Sequence, residues 1–213
     1  MANESDLDII NAALSLLGET QIAALTDGSD ASRHAAALYE PCILSLFSGY
    51  EWGFAKERIA LEIDGGKTPV NQWRYAFLMP TPKTEMVGRP LAIFNTTAIN
   101  ARKMTRYEIE SRWVMTNEST IVIQYVKRQP VELWPGYFER LAIEAVAAIL
   151  AMPVTEIAAK QTLHQQNAFG SPSENMRGGL FGAAMTADTQ ASGEEGLFDD
   201  ADQIDEARFG GAF

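Results

Sequence analysis

Tyr50-Glu51-Trp52-Gly53-Phe54-Ala55, written YEWGFA, places three aromatic rings within five residues at the end of a helix-like segment. Directly after it the apolar period changes: Ile59, Leu61 and Ile63 alternate with Ala60 and Glu62, as in a strand. The rings stand where a helical part hands over to a β part. Two readings compete, an internal anchor that fixes this hand-over and an exposed recognition patch. The anchor is the reading adopted, with Trp52 and Phe54 each contributing about 2–3 kcal/mol through burial.

Working toward the N-terminus, Leu7, Ile10, Leu14 and Leu17 fall on one face of a first helix capped by Ser5 or Asp6, and Gly18 closes it. Thr26-Asp27-Gly28-Ser29-Asp30 leads into a second helix with a stripe through Ala35, Leu38, Cys42 and Leu46 and a kink or break at Pro41. Two antiparallel helices joined by a short loop are expected over 1–55.

Working toward the C-terminus, Gly65-Gly66 is a turn, and Trp73, Tyr75, Phe77 and Met79 share one strand face. Trp73 and Tyr75 join Trp52 and Phe54 as expected structural anchors. Tyr107–Met115 and Thr120–Val126 read as a hairpin across Thr116-Asn117-Glu118-Ser119. Prolines at 69, 80, 82 and 90 confine the early strands to edges or irregular pieces. The segment 56–127 is thus a small antiparallel β domain inserted into a helical bundle.

Helix returns at Trp134-Pro135-Gly136, with Phe138, Leu141, Ala145, Ile149 and Met152 as the buried face and Pro153 as its break. Its alanines at 142, 145, 147, 148 and 151 allow a close neighbour, either within the chain or in another copy. A further helix runs from a cap at Thr155 through Ile157 and Leu163, so 128–187 completes the bundle. The fold class is α+β.

The net charge is −11, of which −7 lies between Asp188 and Phe213. This Gly-rich acidic segment, 188–213, reads as an extended tail whose Leu197, Phe198, Phe209 and Phe213 are spaced to order on a partner. Phe198, Phe209 and Phe213 are the candidate interface residues. Overall acidity disfavours gripping nucleic acid, which requires basic groups against phosphates. No run reaches the ~18 apolar residues of a membrane span. The acidic start MANESDLDII lacks the pattern of a signal peptide, and a single cysteine, Cys42, excludes an internal disulfide, so a cytoplasmic origin is expected.

Catalytic, metal and cofactor sites are not expected. Gly66-Lys67-Thr68 matches only the end of a phosphate-binding loop, and Leu61 stands where that loop needs a glycine. His34 and His164 lack metal-ligand spacing and read as helix-surface residues, while Cys42 reads as a small buried hydrophobe. Glu108 and Glu110 share a strand face beside Arg106 and Arg112. They read as a salt-linked face; acid–base catalysis would need them in a cleft.

The order and spacing of several of these segments resemble one family, the head-to-tail adaptors of short-tailed bacteriophages, also called tail tubular protein A. The segments are Ile10-Asn11-Ala12-Ala13-Leu14-Ser15-Leu16-Leu17-Gly18 with Ile22, Leu25 and Asp27-Gly28-Ser29; Tyr39-Glu40-Pro41; YEWGFA with Lys56-Glu57-Arg58-Ile59-Ala60-Leu61; Trp73-Arg74-Tyr75-Ala76-Phe77-Leu78-Met79-Pro80; Tyr107-Glu108-Ile109-Glu110 with Thr116-Asn117; and the Phe138–Leu150 helix with Pro153-Val154-Thr155. The likeness spans about Leu7 to Gln190. The chain departs from the pattern at Gly170–Gly182, which interrupts a last helix, and in its long acidic tail.

The resemblance implies a non-enzymatic structural virion protein in the tail or neck. It implies a homo-oligomeric ring, expected as twelve copies, docked beneath the portal protein and presenting a platform to the tail nozzle and to fibres. Double-stranded DNA would pass through the channel without specific binding, and no membrane or cofactor would be involved. The alternative is a non-catalytic cytoplasmic helical binding module acting outside a ring.

Overall fold

The computed structural model describes residues 4–81, 86–98, 101, 103–175 and 177–191. Phe198, Phe209 and Phe213 lie outside the described residues. The fold is mixed α+β, with five helices and two three-stranded antiparallel sheets among the described residues.

The helices are α1 (Glu4–Leu16), α2 (Asp30–Gly49), α3 (Gly136–Thr155), α4 (Ala158–Phe169) and α5 (Gly179–Ala191). Helix α3 is the hub, since α1, α2, α4 and α5 all pack against it. Its apolar residues go all the way round: Phe138, Leu141, Ala142, Ala145, Val146, Ala147, Ala148, Leu150 and Ala151 are buried, whereas Ile149 is half-buried and Met152 exposed. Every one of the alanines singled out above lies inside this one chain. Small side chains at these positions let four neighbours approach one axis.

That hub changes the expected pairing of the first two helices. Instead of lying along each other as a hairpin, α1 and α2 each lie along α3. The long connection between them folds back onto α1, because the Asn11 side chain donates to Ile22 O at 3.0 Å and accepts from Ile22 N–H at 2.9 Å. Ile22 is thereby buried in the helical core. Gly18 takes a φ of +73° at the C-terminal end of α1, a conformation that strains other residues.

Two details of the helices differ from the sequence expectation. Asp6 is no cap: it lies inside α1, buried, and its Oδ1 accepts from Tyr39 Oη–H at 2.8 Å and Arg128 Nη2–H at 2.9 Å. Neither proline breaks its helix, since α2 continues through Pro41 and α3 through Pro153. Helix α3 ends instead at Glu156, in the left-handed region at φ +56°. The buried face of α2 also runs one residue beyond the expected stripe, through Ala35, Tyr39, Ile43, Leu46 and Phe47, leaving Leu38 and Cys42 half-buried.

The strands occupy the chain between α2 and α3. One sheet is ordered β1 (Lys56–Leu61), β6 (Ile121–Val126), β3 (Val87–Phe94), and the other β2 (Tyr75–Leu78), β5 (Trp113–Thr116), β4 (Glu108–Glu110). Both are antiparallel. Their inner faces share a second core of Leu61, Phe77, Met79, Met86, Ile93, Val114, Ile121, Ile123 and Tyr125. The expected hairpin of Tyr107–Met115 with Thr120–Val126 is not formed. The chain turns tightly at Ser111-Arg112 to pair β4 with β5, and β6 crosses to the other sheet. Ser111 takes φ +55°, which makes that turn short enough to fold 107–115 on itself. Pro90 sits on edge strand β3, in a register shift between Val87 and Ala92 that Gly88 accommodates at φ +75°.

The insertion leaves and re-enters the helical body at one point. Lys56 pairs with Val126, and Lys127 N–H donates to Ala55 O at 2.9 Å.

Candidate functional site

YEWGFA caps α2 at this point of exit. Trp52 is completely buried, and its indole N–H donates to Leu46 O at 2.8 Å, so the ring loses no hydrogen bond on burial. Phe138 of α3 is the centre of the ring cluster, 5.0 Å from both Trp52 and Phe54, 4.8 Å from Phe47 and 5.1 Å from Trp134 between centroids. Phe181 of α5 stands edge-on to Trp52 at 5.7 Å. Gly49 permits this approach, because a Cβ there would meet the Phe181 ring at 3.0 Å. Phe54 is half-buried at the margin of the cluster.

Asp188 is the polar closure of the same site. Its Oδ2 accepts from Gly53 N–H at 2.7 Å, and its Oδ1 accepts from Tyr137 Oη–H at 2.7 Å. One residue on, Thr189 Oγ1 and Tyr50 Oη are 2.8 Å apart. Burial, with the adjacent Asp188 carboxylate, raises the Tyr137 phenol pKa above its ordinary value. Three residues of the YEWGFA run are thus tied to α5, two of them by Asp188 and Thr189. The boundary placed at 187/188 is therefore corrected: Asp188 belongs to the helical body, 2% exposed, and not to a tail.

The other two expected anchors are elsewhere. Trp73 and Tyr75 lie in the β unit and do not join Trp52 and Phe54. Trp73 is buried with its indole N–H donating to Glu108 Oε2 at 2.7 Å, and Tyr75 is half-buried against the second core. Glu110 forms an ion pair with Lys67 at 3.4 Å. Glu108 and Glu110 are thus committed to an indole and a lysine. The Gly65-Gly66 turn carries Asp64, whose carboxylate accepts from Trp113 Nε1–H at 2.8 Å and Gly66 N–H at 2.9 Å. These bonds, that of Trp113 first, hold its pKa below the usual carboxylate value. Lys67 lies over the Trp113 ring at 4.8 Å, so Gly66-Lys67-Thr68 is part of a closed turn.

His164 is corrected from a surface residue: it is buried and its Nδ1 lies 2.7 Å from Glu144 Oε2. His34 is half-buried on α2. Burial pushes the Cys42 thiol up to about 12, far from the range of a nucleophile. No cluster of three or more metal-ligating side chains occurs among the described residues. No helix among them is long and apolar enough to cross a membrane.

A groove runs along the outside of the joint. It has a volume of about 610 Å³ and is lined by Tyr50, Glu51, Lys56, Arg89 and Arg177 with the backbone of Gly88. It is not legible in the sequence, because its three cations come from β1, β3 and the connection before α5. Asp188 and Phe181 could have been found: with Ala184 they repeat at helical spacing, 181, 184 and 188.

No protein-family model matches the chain. No curated protein matches it.

Proposed function

We propose that the chain is a structural virion protein, a head-to-tail adaptor that forms a ring between the portal and the tail nozzle and extends the DNA channel. Twelve copies are expected. The observation that carries this reading is the joint itself. The segment that most strongly resembles the adaptor family, YEWGFA with Lys56-Glu57-Arg58-Ile59-Ala60-Leu61, is the one that fixes where a helical body gives way to an inserted β unit. The first resembling segment has a similar place, since Asn11 holds Ile22 in the core. Acidic overall charge suits a channel wall past which phosphates slide without sticking.

One observation favours the second reading, a binding module that acts outside a ring. The alanine face of α3 is wholly used within the chain, so contact between copies falls to other surfaces. Each subunit of a closed ring needs two different surfaces that meet head to tail. Electron microscopy of the purified chain, alone and mixed with a candidate portal protein from the same genome, separates the readings. A ring seated on the outer end of the portal supports the adaptor. A chain that stays dispersed and ignores the portal supports the module and ends the adaptor reading.

A further inference from the structure

The groove outside the joint gathers three cations that have no partner among the described side chains. Lys56, Arg89 and Arg177 are all exposed on its walls, and none forms a hydrogen bond or ion pair with another described side chain. Other lysines and arginines nearby are paired: Arg128 Nη2 binds Asp6 at 2.9 Å, and Lys127 lies 3.0 Å from Glu57. Glu51 is the one carboxylate on the groove wall, leaving it with a surplus of two positive charges in a chain whose net charge is −11. Such a pocket selects carboxylates or phosphates.

Helix α5 runs past this groove, with Arg177 two residues before its start and Tyr50 against its last turn. The Tyr50–Thr189 contact of 2.8 Å puts the last turn of α5 against Tyr50, which lines the groove, and the described chain stops two residues later at Ala191. The segment that follows, 192–213, holds seven carboxylates against Arg208. Extended chain spans at most ~3.3–3.6 Å per residue, so Glu194 and Glu195 lie within about 10 and 14 Å of Ala191. Arg177 precedes the start of α5 by two residues, so it stands about 20 Å from Ala191, and the run from Glu194 to Glu206 provides up to about 50 Å of extended chain beyond Ala191 to span the groove on the same molecule.

We infer that the groove lined by Lys56, Arg89 and Arg177 is the docking site for the acidic segment Glu194–Glu206 of the same chain. Attachment of that segment to α5 sets a high local concentration of carboxylates at the groove, which a separate partner at ordinary concentration does not match. The carboxylates of that segment match the groove's surplus of positive charge. An external polyanion or acidic protein that uses the groove must first displace it. The inference concerns the single chain and stands apart from the ring.

Zero-length carbodiimide cross-linking of the full chain tests it, using an equal mixture of ordinary and 15N-labelled protein at low ionic strength. The Lys127–Glu57 pair provides an internal control. The expected result is a bond from Lys56 to a carboxylate between Glu194 and Glu206, found only within chains of one label. Links that join differently labelled chains would assign the groove to another copy and overturn the inference. So would the control bond without any link from Lys56 to the tail. In R89S/R177S, where only exposed and unpaired side chains change, the Lys56–tail link falls about fivefold and the control is unchanged. An undiminished link there would also overturn it.

Discussion

The helical body and the β unit hold their tryptophans in opposite ways. In the body, Trp52 and Trp134 are packed by rings on several sides, and their indole N–H groups end on backbone carbonyls, Leu46 O and Gln129 O. In the β unit, Trp73 and Trp113 donate to carboxylates, Glu108 and Asp64, near the surface. One arrangement derives its strength from excluded water and close packing. The other derives it from charge-assisted bonds that solvent and salt can weaken. The same residue type therefore marks two kinds of joint, and only substitution tells how far apart they are.

The largest effect is expected from Trp52→Ala. Removing a completely buried ring where α2, α3 and α5 meet should cost about 3–5 kcal/mol, read as a fall in the denaturant midpoint. A loss under about 1 kcal/mol would mean that the ring cluster does not hold the body together. Next comes Asp188→Ala, which leaves the Tyr137 hydroxyl and the Gly53 amide without their acceptor; about 2 kcal/mol is expected, with faster amide exchange across α5. If α5 exchanges no faster, Asp188 is not what holds it.

Smaller changes are expected in the β unit. Glu108→Gln keeps an acceptor for the Trp73 indole but removes its charge, and should cost about 1 kcal/mol or less. The difference from the parent chain should shrink as salt is added. A loss as large as that of Trp52→Ala would erase the contrast between the two regions.

Alkaline titration sharpens the same contrast through the body's polar contacts. Burial, and secondarily Asp6 for Tyr39 and Asp188 for Tyr137, raise both phenols above the ordinary 10.0. The unfolded chain therefore releases these protons first. The stability is intact below about pH 10 and is lost as pH rises past it toward the folded-state values. Of the six tyrosines, these two should ionise only together with unfolding, visible as tyrosinate absorbance tracking the loss of helix. Early ionisation of all six would contradict the buried network.

The sequence revealed what depends on local period and missed what depends on encounter. The change from helix to strand at Lys56 is written in the spacing of Ile59, Leu61 and Ile63, and the strands do run from Lys56 to Val126. Partners at long range are not written that way. Nothing near Thr116–Ser119 signals that β5 and β6 lie in different sheets, because both flanks alternate as strands of a hairpin would. Helix α5 was missed because its core-facing positions include an aspartate and small residues, which give a weak apolar stripe. Asp188 is a core residue only because Gly53 and Tyr137, 135 and 51 positions away, meet it there.

The hydrogen bond from Lys127 to Ala55 has a consequence for how such a chain varies over time. To α2 and α3, everything from 56 to 126 is an insertion whose two ends are already clasped. Lengthening an insertion closed at its base adds only about 0.6 kcal/mol for each doubling. Provided that Val87, Leu91 and Val126 keep their apolar contacts with the body, a lineage can enlarge, trim or exchange the β unit. The helices can stay fixed while the inserted module is rewritten.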